Sequence, residues 1–559
     1  MTATATGAPT AVDDRPVIVV GGGPTGLTAA LELAYHGVPS IVLEAGRQRG
    51  DGSRAIALHR TALLVWERLG CAEPMLEQGT VWLTRRTFFR EREVHTLLMP
   101  EPSAGELPTF VNLPQYRTED CLLRRLRATS SIDLHWEHRV VGVVQTDSGV
   151  TVEAQTPDGT VRVSGSYLLA CDGARSSVRK LLALRFPGTT YPDRFLIADI
   201  RTDLPLPPEP RFFFDHPTNP RSTVLIHPQP DGVWRIDWQL GHSASVADEC
   251  APDALRRRIR GLIGELPYEL VWLSDYQFHQ RQLARLRHGR VFFLGDAAHL
   301  VAPFGARGLN SAIHDVENLG WKLAWAIQGR APESLLDTYQ QERWPAQRHD
   351  QRVTNATMRF MAPRTRAQRL RRGMILRLST VSKAARRRVN SGRMSQPFTY
   401  RSSPILVRGD GWRERWPNAP RPGARVPDVA CRIVAELPVR DAPVTWLRRL
   451  IGGGFLALYF AADDADALRF AAGVRAERHP GWVAVRPVLP EAPRVCGVLP
   501  AIWDHIGAIG KGFAAEPGAL FLVRPDGHLA ARRRRARPAD VARLVAVAAG
   551  NSPTTADGG

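Results

Sequence analysis

Residues 17–44 read VIVVGGGPTGLTAALELAYHGVPSIVLE. An apolar run meets a glycine turn, a helix with apolar spacing follows, and a second apolar run closes the unit as strand–helix–strand. Gly21, Gly23 and Gly26 form GxGxxG directly after the first strand. Glycine there lets the backbone approach a pyrophosphate, whose charge the helix N-terminus favours. Glu44 ends the second strand 18 residues after Gly26, where an acid accepts hydrogen bonds from a ribose and repels a 2′-phosphate. Strand, turn, helix and acid together predict a bound dinucleotide.

Working outward, alternating strands near 139–145 and 150–154 and the buried run YLLACDG from 167 resume the nucleotide-binding unit. Between 186 and 280 the runs FLIADI, RFFFDH, STVLIH and VWRIDWQL are separated by proline, asparagine and Asp-Gly turns. They predict an antiparallel sheet laid over the first unit. From 290, RVFFLGD returns to an apolar strand, followed by a long helix through NSAIHDVENLGWKLAWAIQ and another over 332–349. Residues 361–393 hold eleven arginines or lysines and no acid, and read as a solvated or interfacial helix. PNAPRPGARVPD at 417–428 reads as a linker. Beyond it come a strand at 455–461, a helix at 464–475, the strand GWVAVRPV and a helix near 502–512. A hairpin turning at Asp526-Gly527 and a helix near 538–549 close the series.

The fold class is α/β, in these parts: a nucleotide-binding domain over 15–185 and 281–360, a β-sheet substrate domain over 186–280, a basic helical connector over 361–423 and a further α/β unit over 424–550. Residues 1–14 and 551–559 are expected to be disordered ends.

The chain has 559 residues, 44% hydrophobic and 23% charged, which excludes disordered and fibrous classes. Its 74 basic and 55 acidic residues leave +19. The basic stretches lack interleaved aromatics and any nucleic-acid motif, so no nucleic-acid partner is expected. Six cysteines form no CxxC pair and no zinc spacing, so no metal and a reducing compartment are expected. No stretch approaches a membrane span and no leader is evident. A cytoplasmic enzyme is the expectation, and a homodimer is compatible with it.

NAD and FAD use the same strand–turn–helix device, and two later segments decide between them. CDGARSSVR at 171–179 and RVFFLGDAAHLVAPFGARGLNSAIHDVENLGWKLA at 290–324 resemble the DG and GD motifs of the single-component FAD-dependent aromatic hydroxylases, the p-hydroxybenzoate hydroxylase family. With GxGxxG, three motifs stand in the family's order, over residues 16 to about 350. Beyond them the chain resembles the long subgroup that includes 3-(3-hydroxyphenyl)propionate hydroxylase and polyketide aromatic hydroxylases, which ends in a thioredoxin-like domain. That implies a Rossmann-like FAD-binding domain, the sheet domain, and a thioredoxin-like domain without its CxxC.

The resemblance implies non-covalent FAD, NAD(P)H as a transient donor and O2. It implies hydroxylation of a phenolic or polycyclic aromatic substrate through a flavin C4a-hydroperoxide. Epoxidation, Baeyer–Villiger oxygenation of a polyketide, and a basic nucleotide-binding scaffold remain as alternatives. By position, Asp296 would bond the ribitol chain. The N–H groups of Gly308, Leu309 and Asn310 would face the flavin's O2/N1 edge, and Pro303 would sit by its oxygen-reacting side. Arg54 by charge and Gln115 by amide would hold the ribityl-pyrophosphate part. Asp172 and Gly173 would touch the pyrophosphate and the nicotinamide path, with Arg175 and Arg179 near phosphates. Arg307 and Ala312 stand where many relatives have glutamine and glycine, and His299 is expected to pack rather than catalyse.

Alternation in VWRIDWQL sets Trp234, Ile236 and Trp238 on one face and Arg235, Asp237 and Gln239 on the other. One of these faces lines the pocket, and Phe214, His227 and Trp238 are the pocket candidates. Sequence names no catalytic, phenol-activating residue.

Overall fold

A computed structural model describes residues 13–53, 55–241, 245–363, 365–389, 394–407, 416–437, 439, 442–477 and 481–551. Most of both expected terminal tails therefore lies outside the described residues.

The opening stretch folds as strand Val17–Val20, helix Pro24–Tyr35 and strand Ser40–Leu43. Its apolar run is continuous because the strand sits inside a parallel sheet covered on both faces. Val17, Ile18 and Val19 are fully buried. Val17–Val20 pairs in parallel with Ser40–Leu43 on one side and Leu168–Ala170 on the other. Val291–Phe293 then adds in parallel to Leu168–Ala170. Segments far apart in sequence thus end side by side at the glycine turn.

The second sheet has eight strands, in the order His299–Leu300, Glu269–Gln282, Gly188–Arg201, Val233–Gln239, Thr223–Pro228, Arg211–Phe214, Thr84–Phe89 and Arg92–Leu98. It is wider than the 186–280 reading, because the hairpin at 84–98 joins Arg211–Phe214 in parallel. Helix Pro252–Ile263 places Leu255, Ile259 and Ile263 one turn apart, all buried against Leu196, Ile236 and Trp238. That helix covers one face of the sheet, leaving the other turned towards the nucleotide-binding unit.

Helix Gly308–Ile327 is followed by Asp337–Met361, which runs well past the expected end at 349. In the basic stretch, helix Arg366–Leu378 buries Arg372 and Leu376. One of its faces is therefore packed and only the rest is solvated. The passage at 417–428 is not a free linker either. Ala419 and Val426 are buried in the C-terminal core, and Arg425 pairs with Glu317 at 2.7 Å.

The C-terminal unit is a seven-stranded sheet. The helix expected near 502–512 is shorter, because Ala501–Trp503 is a strand and the helix spans Ala508–Phe513. Asp504 sets that boundary by accepting from the Ile509 and Gly510 N–H groups at 3.0 and 2.8 Å. The unit docks firmly. Trp482 lies 4.5 Å from Trp325 between ring centres, and Arg524 bonds Glu342 at 2.8 Å with both side chains fully buried.

Candidate functional site

The glycine turn, the DG segment, the Gly308 helix start and the open face of the eight-stranded sheet line one cavity of about 1580 Å³. Gly21, Gly23, Glu44, Gln115, Asp172, Gly173, Asp296, Pro303, Gly308, Leu309, Asn310, Phe214 and His227 all lie on its wall. Arg54 lies outside the described residues.

At the glycine end, the turn is fixed by steric necessity. Gly21 has φ +111, and a Cβ there would stand 2.5 Å from the Cys171 carbonyl oxygen. Gly26 is off the cavity wall; it sits behind the turn and lets helix Pro24–Tyr35 approach the strand. Gly23 faces open space where a Cβ would be, and no side chain caps the helix it starts. Glu44 clamps the turn, its two oxygens accepting from the N–H groups of Gly22 at 2.6 Å and Gly46 at 2.8 Å.

In the DG segment, Asp172 Oδ2 accepts from Ser177 Oγ at 2.9 Å and Val178 N–H at 3.0 Å, while Oδ1 is buried with no hydrogen-bond partner. Arg175 lines the cavity. Arg179, expected near phosphates, is spent on the fold: it donates to the carbonyls of Ala297 and Ala174 at 3.0 and 2.7 Å. The Gln115 amide is likewise engaged, donating to Glu119 Oε1 at 2.9 Å. Burial pushes the Glu119 acid up to about 7.

Helix Gly308–Ile327 enters the cavity wall with no side-chain cap, so its first N–H groups and dipole are available to an anionic edge. The Asn310 side chain is committed elsewhere. It accepts from His59 N–H at 2.9 Å and donates to Ala57 and Ala306 carbonyls at 3.0 and 2.6 Å. Arg307 is buried and paired with Asp350. His299 is off the wall and buried, with Nε2 2.8 Å from Asp315 Oδ2.

These features fit an FAD: an uncrowded glycine cradle at Gly23 and Gly173, an acceptor without a partner on Asp172, and an uncapped helix start farther along the same cavity. Gly21, Gly23, Glu44 and Asp172 would hold the dinucleotide end, and Gly308, Leu309 and Asn310 the ring end.

At the sheet end, Phe214 and His227 face the cavity and Trp238 does not. Trp238 is 1% exposed and packed among Leu255, Ile259 and Ile263. The apolar face of VWRIDWQL supplies the core, so its polar face supplies the wall, through Arg235 and Asp237. Cross-strand register agrees, setting Leu225 opposite Asp237 and His227 opposite Arg235.

Several wall residues escaped the sequence reading. Trp272, Ser274, Tyr276 and Phe278 line the cavity at every second position of one strand, a period-two signal that was there to be used. Arg371, Arg372 and Ile375 come from the basic helix, whose charge masked its packed face. Burial, with Arg235 and Arg85 nearby, drops the His227 imidazole to about 3. Burial lifts the Asp237 carboxyl to about 7 and lowers Arg85 to about 10.

The family described as "FAD binding domain" matches residues 14–355. The chain is 29% identical over 529 residues, covering 92% of it and 88% of the relative, to a 3-(3-hydroxy-phenyl)propionate/3-hydroxycinnamic acid hydroxylase of Mycobacterium sp. (strain JLS). It is 30% identical over 545 residues to the 6-methylpretetramide 4-monooxygenase of Streptomyces rimosus, covering 94% and 92% of the two chains. Among solved structures, the flavin-dependent monooxygenase PieE in complex with FAD and substrate aligns with TM-score 0.78 and 25% identity, over 96% of this chain and 98% of that one.

Proposed function

Because this chain belongs to the FAD binding domain family, matched over residues 14–355, we propose that its cavity takes FAD at the glycine end and a polycyclic phenol at the sheet end. The chain is a flavin-dependent aromatic monooxygenase using NAD(P)H and dioxygen. The observation that carries the reading is continuity: one cavity joins the glycine turn, the Gly308 helix start and a sheet wall bearing Phe212, Phe214, Trp272 and Tyr276. A fused-ring substrate suits that broad aromatic wall, and the 6-methylpretetramide 4-monooxygenase, 30% identical to this chain, bears on it.

Bound FAD supplies hydride acceptance from NAD(P)H and activation of dioxygen. The chain supplies the rest. The N–H groups at Gly308–Asn310 would lower the energy of negative charge on a flavin ring bound beside them. The aromatic wall holds the substrate ring flat and displaces water. Asp296, exposed after the Gly295 turn at φ +56, would bond the ribitol, and Pro303 would shape the loop between flavin and substrate.

The C-terminal unit fits a thioredoxin-like fold. Strands Phe455–Phe460, Val483–Leu489, Leu520–Val523 and Leu529–Arg533 stand in the order 2-1-3-4 within its sheet, the first pair parallel and the others antiparallel. Lacking CxxC, it serves assembly. A cytoplasmic location suits an enzyme with six unpaired cysteines that consumes NAD(P)H. The homodimer expected from sequence is checked by sedimentation of the holoprotein.

The test is a spectral titration of purified protein with FAD, followed by NAD(P)H consumption against a panel of simple phenols and hydroxylated anthraquinones. The expected result is one FAD per chain, with consumption faster in the presence of a fused-ring phenol and a product heavier by one oxygen. A protein that takes up no FAD, or that oxidises NAD(P)H without regard to any phenol, would overturn the reading. An epoxide or lactone product would instead assign the alternative oxygenation.

A further inference from the structure

Resting on that reading, we propose that Asp237 is the catalytic base that removes the hydroxyl proton of the substrate phenol.

Among the described residues, four carboxylates line the cavity: Glu44, Asp172, Asp237 and Asp296. Glu44 and Asp172 are tied to backbone N–H groups of the glycine turn and the DG segment, and Asp296 follows the Gly295 turn on the nucleotide-binding unit. Asp237 alone of the four belongs to the substrate sheet. It lies mid-strand in Val233–Gln239, flanked across the ladder by Ile197 and Leu225, both also on the cavity wall. Its Oδ1 is buried with no hydrogen-bond partner. Such an atom is costly in a folded protein unless a ligand completes it.

The groups around it bear this out. On its own strand, Arg235 is held by Asp199 through two bonds of 2.8 Å and lies 5.2 Å from the Trp272 ring. That cation lowers the Asp237 acid, but by less than burial raises it. His227 comes from the neighbouring strand and Arg85 from Thr84–Phe89, while Tyr276 comes from Glu269–Gln282. His227, held near 3, is too weak a base for a phenol. Asp237, raised towards 7 mainly by burial, comes much closer to matching a phenol of ordinary pKa about 10.

The proton balance is simple. The phenol O–H bond breaks with its electron pair left on oxygen, and an O–H bond forms on the Asp237 carboxyl. The electron-rich phenolate carbon then accepts the oxygen atom that the established reaction draws from dioxygen and NAD(P)H. That ring carbon loses its hydrogen as a proton, which the newly added oxygen takes up to become a hydroxyl, and the Asp237 proton returns to the phenolate oxygen. No further oxidant or reductant is needed.

The test uses holoenzyme with the best phenol from the panel and a ring-chlorinated, more acidic derivative of it. For the natural chain, kcat/KM should rise with pH through one group near 7 whose position is the same for both phenols. Asp237→Asn should keep its FAD absorbance, lose roughly 100-fold or more of kcat/KM at pH 7, and regain activity at higher pH along each phenol's own ionisation. An Asp237→Asn chain with the natural pH profile would overturn the proposal. If that variant does not fold, a natural-chain profile that shifts with the acidity of the phenol overturns it instead. A natural chain without FAD or without phenol-dependent turnover would count against the function reading above, a separate failure.

Discussion

A Cβ at position 26 would stand 1.9 Å from the carbonyl oxygen of Gly21. No real Cβ tolerates that, and both partners are tied to backbone, so the helix and the turn can stay together only while residue 26 is glycine. Gly26→Ala should therefore force helix Pro24–Tyr35 off its strand, lower the apoprotein Tm by an amount equivalent to roughly 1–3 kcal/mol, and abolish FAD uptake. Gly23→Ala meets open space and should leave the apoprotein melt nearly unchanged while weakening FAD. Thermal melts of the apoproteins beside FAD titrations separate the two effects.

The two faces of strand Val233–Gln239 should answer differently to substitution. Trp238 fills the core against helix Pro252–Ile263, so Trp238→Ala should cost roughly 3–5 kcal/mol of stability and leave the ranking of phenols in the panel as it was. Leu225 lines the cavity, so Leu225→Trp should exclude fused-ring phenols while sparing single-ring ones. Denaturation midpoints and relative kcat/KM values measure both.

Glu342 gathers Lys322 at 2.7 Å, Arg524 at 2.8 Å, Asn318 at 2.6 Å and Ser403 at 2.5 Å, all out of water. Glu342→Gln would leave two buried cations short of their counter-charge, at a cost of roughly 3–5 kcal/mol. Because Arg524 belongs to the C-terminal unit, that unit should loosen first. Hydrogen exchange over residues 520–533 should speed up in this variant more than exchange over 17–20.

Acid should unfold the protein steeply below about pH 4. Burial alone would raise the Asp315 and Glu342 carboxyls, but Arg343 and His299 hold the first, and Arg524 and Lys322 the second, well below the usual range. A folded-state pKa below the unfolded value of about 4 gives stability present above that pH and lost as pH falls through the folded value. His59 and His227, both lowered to about 3 mainly by burial, and His314, lowered well below its usual value mainly by burial, add a loss that begins below about 6.5. Glu119 and Asp237, raised to about 7, act in the opposite sense between 4 and 7. The apoprotein Tm should thus decline moderately from pH 7 to 4 and drop sharply below. Asp237→Asn should raise it at pH 8 but not at pH 4.

The nucleotide-binding end was largely legible from residues 17–44, because glycine spacing, a covered strand and a terminal acid each have one physical reading there. The sheet end was not. VWRIDWQL declares two faces, but only the position of helix Pro252–Ile263 decides that the tryptophans are core and Asp237 is wall. Arg372 was hidden for a related reason: a run of arginines reads as a solvated or interfacial helix without naming the face that packs, and tertiary packing buries this one beside Asp215 at 2.8 Å. Arg179 shows the converse, a cation well placed in sequence for phosphate that the fold consumes internally.

The most direct measurement is the mass of the product formed from a fused-ring phenol by the FAD-loaded chain under heavy-isotope dioxygen. One labelled oxygen atom on the ring for each NAD(P)H consumed is the predicted result. Unlabelled product, or hydrogen peroxide as the sole oxygen product, would contradict it.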